Sequence, residues 1–385
     1  MGCENGDRLL TDFRSRFSRV LSRPEVYLAN HSLGRPLDQM SRDVQEGLDA
    51  WVHGMDSAWQ LWMAEFERFE RNILALTGMS GAVVHKSSVG QGLRAVLNAL
   101  PAPVRVVTSA SEFDSVDFIL REYERRSLVA VDWVEPSGAE SGISKFVAED
   151  FLNRIIPGVG LVIVSLVIFT TGQVMPGVDE IIKKAHEVGA KVFLDSYHAA
   201  GVFPWSYPDA DFVAGGSYKY LRGGPGACWL VVHPRNLSMQ TLDTGWFAKA
   251  RTFDFLRDDQ RAEGGKGWWE STPSPLPLFQ ARSGLEFTLE VGVSEIRRLT
   301  LERLRALRDG LASLGGFDPQ DEAEWGGFCL VPSPDSANIV AALKEQGINV
   351  DARQGIVRFG PDLLTTPEEI EKTVAACQTL SLART

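Results

Sequence analysis

Between about residue 80 and residue 235, short runs rich in β-branched residues alternate with helical segments, and this alternation restricts the fold more than any other feature of the chain. "VRVVTS" (104–109) leads into the helical "FDSVDFILREYERR". "LVAVDWV" (128–134), a polar stretch read as helical, and "LVIVSLVIF" (161–169) follow. Then come the helix "GVDEIIKKAHEVG", "KVFLDS" (191–196), "DFVAGG" and "ACWLVV". Strand, helix and strand in turn require crossover connections. The expected fold is therefore a three-layer α/β/α unit on a mostly parallel sheet. In such sheets ligands bind beyond the carboxyl ends of the strands, which singles out the residues just after each run. The apolar run 161–169 is too short to cross a bilayer and reads as a strand covered on both faces.

At 385 residues and 44% hydrophobic, the chain is long enough for one large and one small core. Residues 38–78 read as helical and rich in aromatics that serve packing or a subunit interface. After about residue 280 a long amphipathic segment reads as one or two helices leading into a smaller α/β unit closed by a helix. That last helix is announced by "TPEE", with Thr366 as N-cap, Pro367 in the first helical position and Glu369 completing a capping box. The expected division is an N-terminal arm and helix (1–50), a large domain (51–285) and a small C-terminal domain (286–385).

Acidic residues outnumber basic ones 50 to 39, for a formal charge of −11, which argues against nucleic acid or an anionic membrane as partner. The four cysteines, Cys3, Cys228, Cys329 and Cys377, have neither disulfide-framework nor zinc-ligand spacing and read as reduced thiols. The first residues contain no apolar signal-peptide core, so a soluble, cytoplasmic protein is expected.

The chemistry-bearing residues fall at strand ends. "KVFLD" ends in Asp195, followed by "SYHAAG" with His198 at a bend, and Lys219 comes 24 residues after Asp195, between glycine pairs in "GGSYKYLRGG". Taken singly, Asp195 also suits a turn or helix cap, and Lys219 a solvated surface. Jointly they suit a pyridoxal phosphate site. A desolvated lysine supplies a neutral amine for an aldehyde, a carboxylate keeps the pyridine nitrogen protonated, and a helix start supplies phosphate donors. "HKSSVGQGLRAVLNAL" offers that helix start through Ser87 and Ser88. Phe113, after "VRVVTS", is an aromatic that can stack on a ring or simply begin a helix.

With these residues the chain resembles the class V, fold-type I pyridoxal phosphate enzymes, and within them the kynureninases. The matching motifs are "SYKYL" (217–221), "DSYHAAG" (195–201), "TTGQV" (170–174), "YLANHSLGRPL" (27–37), "GWF" (245–247) and "VRFGP" (357–361), in order along nearly the whole chain. The resemblance implies pyridoxal 5'-phosphate bound to Lys219 in the large domain, Asp195 on the pyridine nitrogen, His198 close by and Phe113 on the ring face. It implies phosphate contacts from Ser87, Ser88 and Tyr218, joined across a homodimer interface by Trp246 and Thr272. Arg358 would hold the substrate α-carboxylate by a bidentate pair, with Ser32 and His53 near the substrate side chain. The implied reaction is hydrolysis of the Cβ–Cγ bond of L-kynurenine or a related γ-keto amino acid, with Tyr218 as proton carrier. Another class V reaction, amino transfer or β-elimination, is the alternative. Three positions depart from the family pattern. Val116 stands where an aspartate is usual unless Asp117 replaces it, Thr272 stands for an asparagine, and Arg222 is expected to add a positive charge near the site.

Overall fold

The computed structural model describes residues 12–140, 143–314 and 321–382. Cys3 lies outside them. Fourteen strands are present among the described residues, beginning with β1 (Val26–Tyr27), β2 (Ala82–Lys86), β3 (Val104–Ser109) and β4 (Val129–Val134). A hairpin of β5 (Gly138–Glu140) and β6 (Ile143–Lys145) precedes β7 (Leu161–Ser165), β8 (Lys191–Asp195), β9 (Phe212–Gly216) and β10 (Cys228–Val232). The C-terminal part holds β11 (Cys329–Pro332), β12 (Ile348–Asn349), β13 (Asp351–Arg353) and β14 (Ile356–Phe359).

The central sheet has seven strands in the order β2-β10-β9-β8-β7-β3-β4. The five strands from β9 to β4 are mutually parallel, whereas β10 runs antiparallel to both β9 and β2. Helices lie around it, so the fold is the mainly parallel α/β architecture expected. Each central strand sends alternate residues to opposite sides. Leu161 and Ile163 join one buried cluster while Val162 and Val164 join the other, which explains why the run shows no polar alternation.

Three local expectations are corrected. "AVVHK" is itself a strand, β2, which the sequence pattern passes over because it is short and ends in the polar pair His85 and Lys86. The polar stretch after β4 is a hairpin and one short helix, Ala148–Leu152, rather than a helix throughout. The run 161–169 keeps strand geometry only to Ser165; Leu166 to Phe169 stay buried but leave the sheet.

The amphipathic segment after residue 275 is two helices, Leu276–Val291 and Val293–Leu311, divided at Gly292. The C-terminal sheet, β11-β14-β13, is antiparallel, and β1 pairs in parallel with β12, tying the N-terminal segment to it. The helix Pro367–Leu382 starts with the anticipated reciprocal cap: the Glu369 N–H donates to Thr366 Oγ1 at 3.2 Å and the Thr366 N–H to Glu369 Oε2 at 2.8 Å.

The helices Met40–Gly54 and Ala58–Thr77 pack on Leu276–Val291 through a buried ion cluster. Arg282 donates to Glu65 Oε2 at 2.7 Å and to Glu46 Oε2 at 2.6 Å, with Asp43 at 3.7 Å. Arg282 and Glu65 are both buried, so neither charge is tolerable alone. Arg282→Met is therefore expected to cost about 3–5 kcal/mol of stability in denaturant unfolding. An unchanged midpoint would show that the cluster is not needed to hold these helices.

Candidate active site

Every central element of the candidate site sits beyond a carboxyl strand end. Asp195 is the last residue of β8 and Ser165 the last of β7, paired with it in register. His198 follows in the bend after β8, Glu112 and Phe113 follow β3, and the connection from β9 to β10 carries Tyr218 and Lys219. Ser88 caps the helix Val89–Leu97, accepting the Gln91 N–H at 3.1 Å. One pocket is lined by Ser87, Ser88, Phe113, Asp195, His198, Tyr218 and Lys219, so seven of the sequence candidates meet there.

Lys219 is 6% exposed and its Nζ lies 2.6 Å from His198 Nε2. Nζ also faces the rings of Tyr197 at 5.1 Å, Phe113 at 5.5 Å and Tyr218 at 5.8 Å. Burial pulls the Lys219 amine down to about 7, against the opposing pull of Asp195. The same burial, reinforced by Lys219, keeps His198 well below the usual imidazole range and therefore neutral. Asp195 is pushed up to about 6 by burial, although its Oδ1 accepts the Tyr197 N–H at 2.8 Å. Tyr197 itself lines the pocket, bonds Cys228 Sγ at 3.2 Å and packs on Tyr218 with ring centroids 5.0 Å apart.

Phe113 meets Phe169 edge-on at 5.4 Å and stays 39% exposed, which leaves a ring face open to the pocket. At the phosphate end, the Ser87 N–H and hydroxyl both donate to Gln91 Oε1, at 2.7 and 3.0 Å. Gln91 is in turn held by Glu270, which also takes Lys86 Nζ at 2.5 Å. An oxygen acceptor thus already rests on the donors that an anion would use.

Several expectations are redrawn. Arg358 makes a bidentate pair, but with Asp351, through Nε at 2.8 Å and Nη2 at 2.6 Å, while Nη1 donates to the Phe169 carbonyl at 2.9 Å. Arg358 does not line the pocket. His53 is exposed near the end of its helix, and Ser32 is half-buried in a turn; neither lines it. Trp246 donates to Thr272 Oγ1 at 3.0 Å, also outside the pocket of this chain. Asp117 does not replace the missing aspartate, because it forms a salt bridge with Arg121 at 2.8 Å, and Val116 is buried in the pocket wall. Arg222 is not a pocket cation. It is buried with φ 60° and turns to Asp362, 3.9 Å away, which Arg35 also contacts.

Four residues near the site were not assigned a role from sequence. Glu112 stands directly before Phe113, where nothing in the pattern distinguishes it from a surface acid. His31 lies inside "ANHSLG", and its Nε2 is 2.8 Å from Asp351 Oδ1. Asp351, in "NVDAR", reads as an ordinary strand-edge charge. Gln91 is hidden in a helix start.

The chain belongs to the aminotransferase class-V family, whose model matches residues 38–358. Among curated relatives, the kynureninase of Geobacillus thermodenitrificans is 26% identical over 95% of this chain and 90% of that protein. The kynureninase of Salinispora tropica is 28% identical over 87% and 85%. By fold the chain is similar to an apo cysteine desulfurase from Thermococcus onnurineus, with a TM-score of 0.82, 18% identity and coverage of 96% and 97%. It is equally similar to a lysine-to-alanine mutant of C-DES with glycine covalently linked to its PLP cofactor, at a TM-score of 0.82, 19% identity and coverage of 94% and 98%. The donor set fits pyridoxal phosphate on this chain's own geometry. A low-pKa amine, a buried carboxylate without a salt-bridge partner among the described residues, an open ring face and hydroxyls at a helix start surround one pocket.

The lysine loop is braced by the N-terminal motif. Gly34 N–H donates to the Tyr218 carbonyl at 2.8 Å, and a Cβ on Gly34 would collide with the Lys219 carbonyl oxygen. Gly34→Ala is therefore expected to displace the loop, lower bound cofactor and destabilise by about 1–3 kcal/mol. Wild-type cofactor content and unfolding midpoint would refute the brace.

Proposed function

We propose that this chain is a pyridoxal phosphate-dependent hydrolase that cleaves the Cβ–Cγ bond of L-kynurenine or a related γ-keto amino acid, giving an anthranilate-type product and L-alanine. One observation carries the reading: the neutralised Lys219 amine shares a pocket with Asp195 and the open face of Phe113, in a chain whose curated relatives over most of its length are kynureninases.

When bound, pyridoxal phosphate supplies an aldehyde for amines and a ring that delocalises the electron pair left at Cα. This chain's residues do the rest. Lys219, largely unprotonated above about pH 7, is the amine that anchors the cofactor and then carries the Cα proton. His198 orients it through the 2.6 Å contact. Asp195 would hold the pyridine nitrogen, Phe113 would support the ring, and Ser87, Ser88 and Tyr218 would take the phosphate. In the net reaction water adds to the γ-carbonyl carbon, the Cβ–Cγ pair passes to Cβ, and Cβ gains a proton, for which Tyr218 is the nearby hydroxyl. Arg358 is the residue for the α-carboxylate. Ser32 belongs near the substrate side chain. Trp246 and Thr272 would join the phosphate site of a homodimer partner, and His53, like Ser32, would serve near the substrate side chain. Such an enzyme would serve tryptophan breakdown in the cytoplasm.

The fold likeness to cysteine desulfurases does not favour their chemistry here. Cys228, Cys329 and Cys377 are all buried, and burial drives the Cys228 thiol up to about 11. Amino transfer and β-elimination remain the alternatives, and product analysis in the same assay separates them.

Incubation with L-kynurenine and with 3-hydroxykynurenine is expected to release an anthranilate and L-alanine in equal amounts. Release from neither substrate sinks the hydrolase reading; a keto acid with transfer of the amino group identifies amino transfer, and a keto acid with free ammonia identifies β-elimination. Tyr218→Phe is expected to lower turnover about 100-fold or more; unchanged turnover removes Tyr218 as proton carrier. Capture of the cofactor by the apoprotein requires the unprotonated amine. Its rate is expected to climb as pH rises towards about 7 and level off above it. A midpoint left near the ordinary lysine value of 10.5 would contradict the buried-amine account.

A further inference from the structure

Glu112 is an acidic residue that the site as described does not use. It lies between β3 and the helix Asp114–Arg125, yet its side chain turns inward and the residue is 4% exposed. Ser165 Oγ donates to Glu112 Oε2 at 2.6 Å, and Ser109 Oγ to Oε1 at 3.2 Å. Both partners are neutral hydroxyls, and among the described residues Glu112 has no salt bridge. Ser165 pairs in register with Asp195 across β7 and β8 and lines the pocket beside it. Two buried carboxyls are thus gathered at neighbouring strand ends, one of them in the pocket wall. Among the described residues neither forms a salt bridge, although the Lys219 charge acts on Asp195.

We propose that Glu112 is a positioning residue for the cofactor's pyridine nitrogen, acting through Ser165 to set a second carboxyl behind Asp195. The inference rests on the reading that Asp195 meets that nitrogen. A buried carboxyl among hydroxyls needs either a proton or a nearby positive charge. Burial first, and then the Asp195 charge, push Glu112 up to about 7, while the hydroxyls of Ser165, Ser109 and Thr108 pull it down. The charged or titratable groups around it are Asp195 on β8 and, across the pocket, Lys219 and His198. On its own helix Asp114 is exposed and Asp117 is turned to Arg121. In the pH window where Asp195 is ionised and Glu112 still protonated, between about 6 and about 7, a bound pyridinium would face one negative charge. As pH passes neutrality the second charge would develop on Glu112 and favour keeping a proton on the ring nitrogen. A lone aspartate would give no such second step.

The test is the visible absorbance of the holoenzyme titrated with acid and base, for wild type and Glu112→Gln. Glutamine keeps an oxygen for one serine hydroxyl but cannot ionise. Wild type is expected to show a spectral step near neutrality that Glu112→Gln lacks, with the remaining step moved to lower pH by roughly half a unit or more. Superimposable curves from two folded, fully loaded proteins overturn the proposal and leave Glu112 a packing residue. A wild type that gains no lysine-bound absorbance at all instead overturns the assignment of Lys219 and the cofactor. If Glu112→Gln does not fold, Ser165→Ala replaces it. Loss of a donor to the carboxylate is expected to move the neutral step to higher pH, and an unmoved step overturns the proposal.

Discussion

The pocket depends on an amine buried without a counter-ion. Lys219 Nζ has His198 Nε2 as its hydrogen-bond partner, 2.6 Å away, and forms no salt bridge among the described residues. Charging both nitrogens in a site this dry is prohibitive, so burial drives both towards their neutral forms and they share one hydrogen between them. Asp195 opposes this for the lysine, yet its own carboxylate is destabilised by the same loss of water. The result is an amine and a carboxyl that both ionise near neutrality, beside a neutral imidazole. Such a pair suits an aldehyde-bearing cofactor with a basic ring nitrogen.

Holding an uncharged lysine in place takes a rigid loop. The connection from β9 to β10 is fixed from inside by the Ser217 N–H on the Ala227 carbonyl at 3.0 Å and by Ser217 Oγ on the Gly224 carbonyl at 3.0 Å. It is fixed from outside by Gln280, which donates to the Gly223 carbonyl at 3.0 Å, and by Gly284, where a Cβ would strike the Leu221 carbonyl. Arg222 completes the clamp. A left-handed conformation at a non-glycine residue costs on the order of 1–3 kcal/mol, and in it the Arg222 guanidinium donates to the Tyr220 carbonyl at 2.5 Å and faces Asp362 at 3.9 Å. The charge that seemed to belong to chemistry belongs to the loop's anchor.

This division explains what the sequence could reveal. Lys219, Asp195, His198 and Phe113 could be brought together from sequence because each follows a strand with a plain apolar run, and strand ends in a parallel sheet converge by topology; Ser87 and Ser88 were found by their helix start instead, since the strand before them was passed over. The helix cap at Thr366 was legible because its partners are three residues apart. What stayed hidden depends on contacts between distant segments. Asp351 and Arg358 are strand neighbours whose pairing needs the turn between β13 and β14, and His31 reaches them from more than three hundred residues away. Arg222 and Glu112 were misjudged or passed over for a simpler reason. A charged letter in a sequence carries no sign of which way its side chain turns, and both turn inward.

The His31, Asp351 and Arg358 group also bears on how a substrate would be admitted. Burial works against the Asp351 charge, yet the hydrogen bonds from His31 and Arg358 outweigh it and hold this carboxyl well below the usual carboxylate range. It therefore remains an anion at any working pH and keeps the guanidinium fork filled. His31, pulled down to about 4 by burial, is neutral and can act as a donor to it. On the proposed reading, a substrate carboxylate does not meet a bare arginine. It has to take over a bond that Asp351 or the Phe169 carbonyl already makes, and Phe169 is also the ring against which Phe113 rests edge-on. Substrate capture at Arg358 and the setting of the ring that supports the cofactor are thus joined through one residue.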